Sequence, residues 1–176
     1  IHHWRISSPE PGIFYGECLE FCGLSHANMQ MRAVVLDNDD YDAWVQEQLQ
    51  PSTVPTSAAA KRGYELFGRH CVSCHVIDGV YESAADGNAN LLSGVAPNLT
   101  HLMTRTSFAG SLFELYNDDG SANIAELREW VRDAPDRKPA RPDNRQGMIS
   151  FVETLNDSEL DDLVTYLLTL GGKPPL

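Results

Sequence analysis

The sequence predicts two units in tandem: a short β-strand unit, then a larger all-helical one. Three observations predict it. Residues 30–36, Gln-Met-Arg-Ala-Val-Val-Leu, contain a β-branched apolar run that suits a strand. Residues 50–57, Gln-Pro-Ser-Thr-Val-Pro-Thr-Ser, place two prolines among small polar residues and read as a linker. Beyond it, Leu160, Leu163, Val164, Leu167 and Leu168 recur at the spacing of one helix face.

The elements follow in chain order. Tyr41, Trp44, Val45 and Leu49 have roughly helical spacing and predict a short helix over 41–49. Thr56 or Ser57 can cap a helix from Ala58 to about Arg69, with Gly63, Tyr64 and Phe67 on one face. Residues 78–95, with Gly79, Gly87, Asn88, Asn90 and Gly94, read as an irregular loop. Asn123, with Glu126 three residues on, starts a helix over 124–132. Asn156-Asp157-Ser158-Glu159 resembles a capping box and opens the terminal helix, which Gly171 closes. An amphipathic helix of this kind must bury its stripe.

Composition narrows the function. The chain has 176 residues, 42% of them hydrophobic, enough for packed cores. Its net charge of −12 is divided evenly between the stretches before and after residue 60, which argues against nucleic-acid binding. No run approaches 18 apolar residues. All four cysteines belong to two motifs, leaving none for a separate structural disulfide.

The first motif is Cys71-Val72-Ser73-Cys74-His75. Two cysteines separated by two residues and followed at once by histidine form the attachment signature of a c-type haem. The thiols can bond the two vinyl groups on one porphyrin edge, and the histidine then offers its imidazole to the iron. The competing readings are a redox dithiol and half a zinc site, but no cysteine follows position 74. The second motif gathers Cys18, Cys22, His26 and Met29 within 12 residues. These soft and borderline ligands favour copper in an electron-transfer setting. A Cys18–Cys22 disulfide and a zinc site are the alternatives, and methionine is a poor zinc ligand.

The stretch Pro11-Gly12-Ile13-Phe14-Tyr15-Gly16-Glu17-Cys18 through Met29 resembles the binuclear copper (CuA) loop of cytochrome c oxidase subunit II. That family reads roughly P-G-x-Y-x-G-x-C-x-E-x-C-G-x-x-H-x-x-M. The resemblance implies that Cys18 and Cys22 are thiolates bridging both coppers, that His26 and Met29 are terminal ligands, and that Glu20 contributes its backbone carbonyl. A subunit II with a cytochrome c domain fused behind it is a known variant with this order of motifs. The resemblance runs from about Trp4 to about Leu170. It implies an all-β cupredoxin-like fragment over 1–49, a linker over 50–57, and an all-α class I cytochrome c domain over 58–176. The family places one more histidine ligand well upstream of the cysteine loop. His2 and His3 lie too close to match it, so the chain is expected to be a fragment of the copper domain.

The same resemblance addresses the haem iron. Pro97-Asn98-Leu99-Thr100-His101-Leu102 is similar to the cytochrome c segment G-P-N-L-x-x-L-x-x-R, with Ala96 in place of glycine. There the proline carbonyl accepts the axial imidazole N–H. Lys138-Pro139 is similar to K-P-G-x-x-M-P, with Ala140 for glycine, a longer gap to the methionine, and Ile149 for the final proline. Met148 is therefore the favoured sixth ligand. Met103, expected in a helix after Pro97, and His101 are its rivals. Arg105 and Trp130 align with the family's haem-propionate partners, with a surface arginine and a core tryptophan as the plain alternatives.

The resemblance implies the electron-transfer subunit of a haem–copper terminal oxidase. Electrons would pass from haem c to the binuclear CuA centre and on to catalytic subunit I, where oxygen is reduced. The expected donor is a cytochrome or a quinol-oxidising complex. The expected location is the extracytoplasmic, periplasmic face of a prokaryotic cytoplasmic membrane, reached through segments outside this chain. The alternative is a free-standing periplasmic electron carrier or copper-handling protein without an enzymatic partner.

Overall fold

The computed structural model describes residues 5–81, 96–139 and 147–175. His2, His3, most of the irregular loop over 78–95, and Ala140 with the rest of the gap before Met148 lie outside them.

Strand β1 (Gly12–Glu17) pairs antiparallel with β2 (Gln30–Val35), in a register running from Gly12 opposite Val35 to Glu17 opposite Gln30. β2 lies where the β-branched run predicts a strand. Gly16 faces Met31, and a Cβ on Gly16 would meet the Met31 side chain at 2.8 Å. Phe14, Tyr15, Met31 and Val34 are exposed on this ribbon. Among the described residues the expected cupredoxin-like part is this one hairpin, and no sandwich is seen.

Helix α1 (Asn38–Gln48) starts three residues before the apolar periodicity does. Asp37 caps it by accepting from the Asp40 N–H at 3.0 Å. Asp39 and Asp40 then suit the positive end of the helix dipole, although they carry no apolar signal. The linker runs against the second unit, where the Ser52 N–H donates to the Asp78 carbonyl at 2.8 Å.

Helix α2 (Ala58–His70) is capped by Ser57, and α3 (Ile124–Arg132) by Asn123. Helix α5 (Asp157–Leu167) has a complete capping box, with Asn156 and Glu159 each bonding the other's backbone. The main packing of the fold is α2 across α5. Leu66 and Phe67 on α2 meet Leu160, Leu163, Val164, Tyr166 and Leu167 on α5, all buried. Tyr64 and Phe67 meet Tyr166 edge-on, and Tyr81 packs against both of them.

The second unit is not purely helical. Strands β3 (Ser107–Phe108) and β4 (Phe113–Glu114) form a two-residue ladder. Its turn holds Ala109 and Ser111 at positive φ of 55° and 64°. Lys138 Nζ donates to the Ala109 carbonyl at 2.6 Å and pins that turn. A ladder this short carries no alternation to detect. Helix α4 (Ala134–Arg137) is a single turn begun by Pro135, also too short to predict. The helix expected after Pro97 is one 3₁₀ turn, Leu102–Thr104.

Arg128 on α3 holds α5 by donating to Asp161 and Asp157, both at 2.7 Å. Arg128 draws the Asp157 carboxyl below its ordinary pKa of 3.8. A depressed carboxylate contributes stability above its unfolded pKa and loses it as pH falls through the folded value. Arg128→Ala is thus expected to lower the melting temperature at pH 7. The gap from the parent should shrink as pH falls through 3.8 and below. Melting curves of both proteins at several pH values measure this.

Candidate functional site: a haem crevice and a thiolate loop

Helix α2 delivers the first motif. Beyond its end the chain keeps turning: the Cys71 N–H donates to the Phe67 carbonyl, and the Cys74 and His75 N–H groups both donate to the Cys71 carbonyl. This winding puts both thiols and the imidazole on successive positions of one turn. Cys71 is buried and Cys74 exposed, and neither is in a disulfide. Burial pushes the Cys71 thiol up to about 12, which favours an uncharged sulfur at this position.

The His75 Nδ1–H donates to the Pro97 carbonyl at 2.8 Å. A carbonyl can only accept, so the proton is on Nδ1 and Nε2 keeps its lone pair. Burial, the main influence, lowers the His75 pKa, and the ring is neutral at physiological pH as an iron ligand must be. The Pro97 carbonyl is held in place by its neighbours. Leu99 N–H donates to the Val76 carbonyl at 2.9 Å. Asn98 donates to Asp78 and accepts from both the backbone and hydroxyl of Thr100. The Thr100 hydroxyl, in a side chain only 2% exposed, accepts from the Asp78 N–H at 2.8 Å.

Asn98 and Thr100 thus hold in place the carbonyl that accepts from His75. In this segment the sequence analysis assigns candidate roles only to Pro97 and His101; the Asn-x-Thr spacing is the signal that could have found the other two. Thr100→Val keeps the shape but takes the acceptor from the Asp78 N–H in a part-buried contact. The expected cost is about 0.5–1.5 kcal/mol, measured by urea unfolding.

Arg105 is half-buried, and that burial lowers its pKa. Its guanidinium donates to the Asn98 carbonyl at 2.5 Å, and among the described residues no carboxylate pairs with it. A half-buried cation without a counter-charge fits a site that receives carboxylates. Trp130 is half-buried against Phe108 and Phe113, at centroid distances of 6.2 and 5.8 Å. Met148 is half-buried against the core. Met103 is 5% exposed, and its backbone is tied at both ends: its N–H donates to Leu170, and its carbonyl accepts from the Tyr116 hydroxyl. His101 begins the 3₁₀ turn, and its Nδ1 is buried without a partner among the described residues.

The second cluster lies on the loop between β1 and β2. The Cys18 N–H donates to the Met29 carbonyl at 3.0 Å and closes the loop where the strands separate. A 3₁₀ turn, His26–Asn28, then folds the imidazole back. Cys22 Sγ lies 3.5 Å from each of Cys18 Sγ, His26 Nδ1 and Met29 Sδ. Cys18 Sγ is 3.2 Å from the Glu20 carbonyl oxygen. Every donor named for the copper loop is thus within reach of one of these two sulfurs.

The sulfur separation is informative. A disulfide requires about 2.05 Å, so the thiols are unlinked. Two sulfurs each about 2.3 Å from one tetrahedral ion lie about 3.8 Å apart. The loop is therefore close to the spacing that a shared metal imposes. The Cys18 thiol raises the Cys22 pKa, first through the hydrogen bond between the two sulfurs, with burial and charge repulsion adding to it. A bound cation would remove that repulsion. Leu19 and Phe21, at 89% and 83% exposed, flank the donors.

The cytochrome c family model matches residues 60–171. Cytochrome c oxidase subunit 2 of Alkalihalophilus pseudofirmus is 30% identical over 175 residues, covering 96% of this chain and 42% of that protein. The subunit 2 of Bacillus sp. PS3 is 32% identical over 160 residues, covering 90% and 40%. That of Bacillus subtilis is 30% identical over 168 residues, covering 94% and 42%. The chain thus spans about two fifths of the length of these relatives. Among the described residues no helix is long and apolar enough to cross a membrane. The match over residues 60–171, which takes in the Cys71–His75 turn and the segment anchoring its imidazole, shows that this chain belongs to the cytochrome c family, and it is homologous to cytochrome c oxidase subunit 2.

Proposed function

We propose that this chain is the electron-transfer portion of subunit II of a haem–copper oxidase, carrying a covalent haem c and a binuclear CuA centre. The observation that carries the reading is the pairing of two donor sets in one chain: Cys18, His26 and Met29 within contact of Cys22, and a histidine whose Nδ1 is engaged and whose Nε2 keeps its lone pair. Copper and haem, when bound, supply one-electron redox chemistry.

Cys71 and Cys74 would hold the haem, and His75 Nε2 and Met148 would ligate its iron. Arg105 and Trp130 would meet its carboxylates. Cys18 and Cys22 would hold copper, together with His26, Met29 and the Glu20 carbonyl. None of these groups needs to leave or move a proton, which suits sites whose task is to change charge without changing shape. Oxygen reduction belongs to the catalytic subunit I. Electrons come from a cytochrome or quinol-oxidising complex. The location is the periplasmic face of a prokaryotic cytoplasmic membrane, with anchoring through segments outside this chain.

The test is to produce the chain in a host that matures c-type haem and to measure iron, copper and the visible and near-infrared spectrum together. Two coppers per haem with a mixed-valence thiolate spectrum are expected. Haem without copper would leave the cytochrome assignment standing and mark the loop as part of an incomplete copper domain. Met148→Leu is expected to remove the methionine–iron charge-transfer band, whereas Met103→Leu keeps it. The reverse result would move the sixth ligand to Met103.

A further inference from the structure

The hairpin that bears the thiolate loop packs broadly against no helix of the cytochrome c unit among the described residues. Its attachment is a small set of side-chain contacts, and one dominates. Arg32 on β2 has a side chain only 8% exposed. Its Nη1 donates to Glu114 on β4 at 2.8 Å, its Nη2 donates to the other oxygen of the same carboxylate, and Nη1 also reaches the Thr106 hydroxyl at 3.4 Å. The guanidinium lies over the Tyr15 ring, 5.1 Å from its centroid. Its Nε is buried without a partner among the described residues.

The position of this pair is more telling than its strength. Arg32 stands opposite Tyr15 in the hairpin register, three residues after Met29 and, across the ladder, three before Cys18. It therefore grips the base of the thiolate loop. On the other side, Thr106 follows Arg105, and Glu114 follows Phe113, which packs on Trp130. The grip thus lands one residue along the chain from Arg105 and from Phe113, the ring that packs on Trp130. A second contact joins the loop itself to the haem unit, where the Ser25 hydroxyl donates to the Pro139 carbonyl. The pair is one-sided: Arg32 is buried with an unpaired Nε, whereas the Glu114 side chain is 56% exposed, so the bidentate grip adds little stability and serves better to select one arrangement.

We propose that Arg32 and Glu114 are positioning residues that clamp the copper loop against the propionate side of the haem and so set the electron-transfer distance within the chain. The proposal rests on the two-centre reading above. Each centre keeps its own ligands without the pair; what the pair fixes is their separation.

The experiment uses the chain loaded with haem and copper. Flash reduction of the haem is followed by the appearance of reduced copper. Arg32→Gln and Glu114→Gln are each expected to slow this step by roughly tenfold or more, as small misplacements do elsewhere, with both absorption spectra unchanged. The exchange Arg32→Glu with Glu114→Arg is expected to restore most of the rate. Small-angle scattering of the haem-loaded, copper-free chain should show a larger radius of gyration for each single variant. Parent rates in loaded Glu114→Gln, which alters no residue near the thiolates, would overturn the clamp even if Arg32→Gln fails to fold. Unchanged scattering would overturn it as well. Failure of the unmodified chain to bind copper would instead overturn the reading on which the proposal rests.

Discussion

Gly63→Ala is expected to destabilise the protein by about 2–3 kcal/mol, against the direction that helix propensity alone gives. Gly63 sits inside α2, where alanine is normally favoured by about 1 kcal/mol. Here α5 lies against it. A Cβ at position 63 would overlap the backbone oxygen of Asp162 and stand 2.7 Å from Cβ of Tyr166. The nearest obstacle is backbone, so no rotamer change relieves it, and the two helices must separate along their contact. That contact carries Phe67 and Tyr166, at 1% and 0% exposed, and is the main packing of the fold. The melting temperature should fall by about 4–12 °C. The effect should also reach the site, because α2 ends in Cys71 and any shift of α2 moves His75 away from Pro97. Haem content per chain should therefore drop together with stability. A Gly63→Ala protein as stable as the parent would mean that the helices do not cross at this glycine.

The close crossing shows what was legible in the sequence. Gly63 in a helix, the Asn156–Glu159 box and the leucine stripe are local signals. Each rests on residues within two turns of one another, and α2, α3 and α5 lie where those signals put them. The axial histidine motif and the copper-type loop are likewise written within five and 12 residues. What the sequence does not announce depends on distant partners. β1 is a strand because β2 pairs with it, and Ile13, Phe14 and Tyr15 show no alternation of their own. The Thr100 hydroxyl matters only because the chain returns Asp78 to it. Arg32 and Glu114 meet although they stand 82 positions apart, with no spacing rule to announce them. The cupredoxin expectation rests on resemblance alone, and a two-stranded ribbon does not establish it.

Cys22→Ser is expected to abolish copper binding while leaving haem attachment intact. Cys22 is the hub of the donor set: its sulfur contacts Cys18, His26 and Met29, whereas Met29 and His26 each contact Cys22 alone among the donors. Serine keeps the size of the side chain but presents a hard hydroxyl that does not ionise at neutral pH, in place of a soft thiolate. Losing an outer-sphere partner already costs a metal site on the order of 10–100-fold in affinity, and losing a shared ligand should cost more. Met29→Leu removes one terminal donor and should keep copper with an altered spectrum. Equilibrium competition against a copper chelator measures the first effect, and the haem absorption of the same samples checks the second site. The haem motif lies on α2, beyond the linker, and none of its residues touches Cys22, so its spectrum should not change. Full copper retention in Cys22→Ser would remove Cys22 from the centre of the site. Loss of haem along with copper would show that the two centres assemble as one, and would make the thin contact through Arg32 a folding interface.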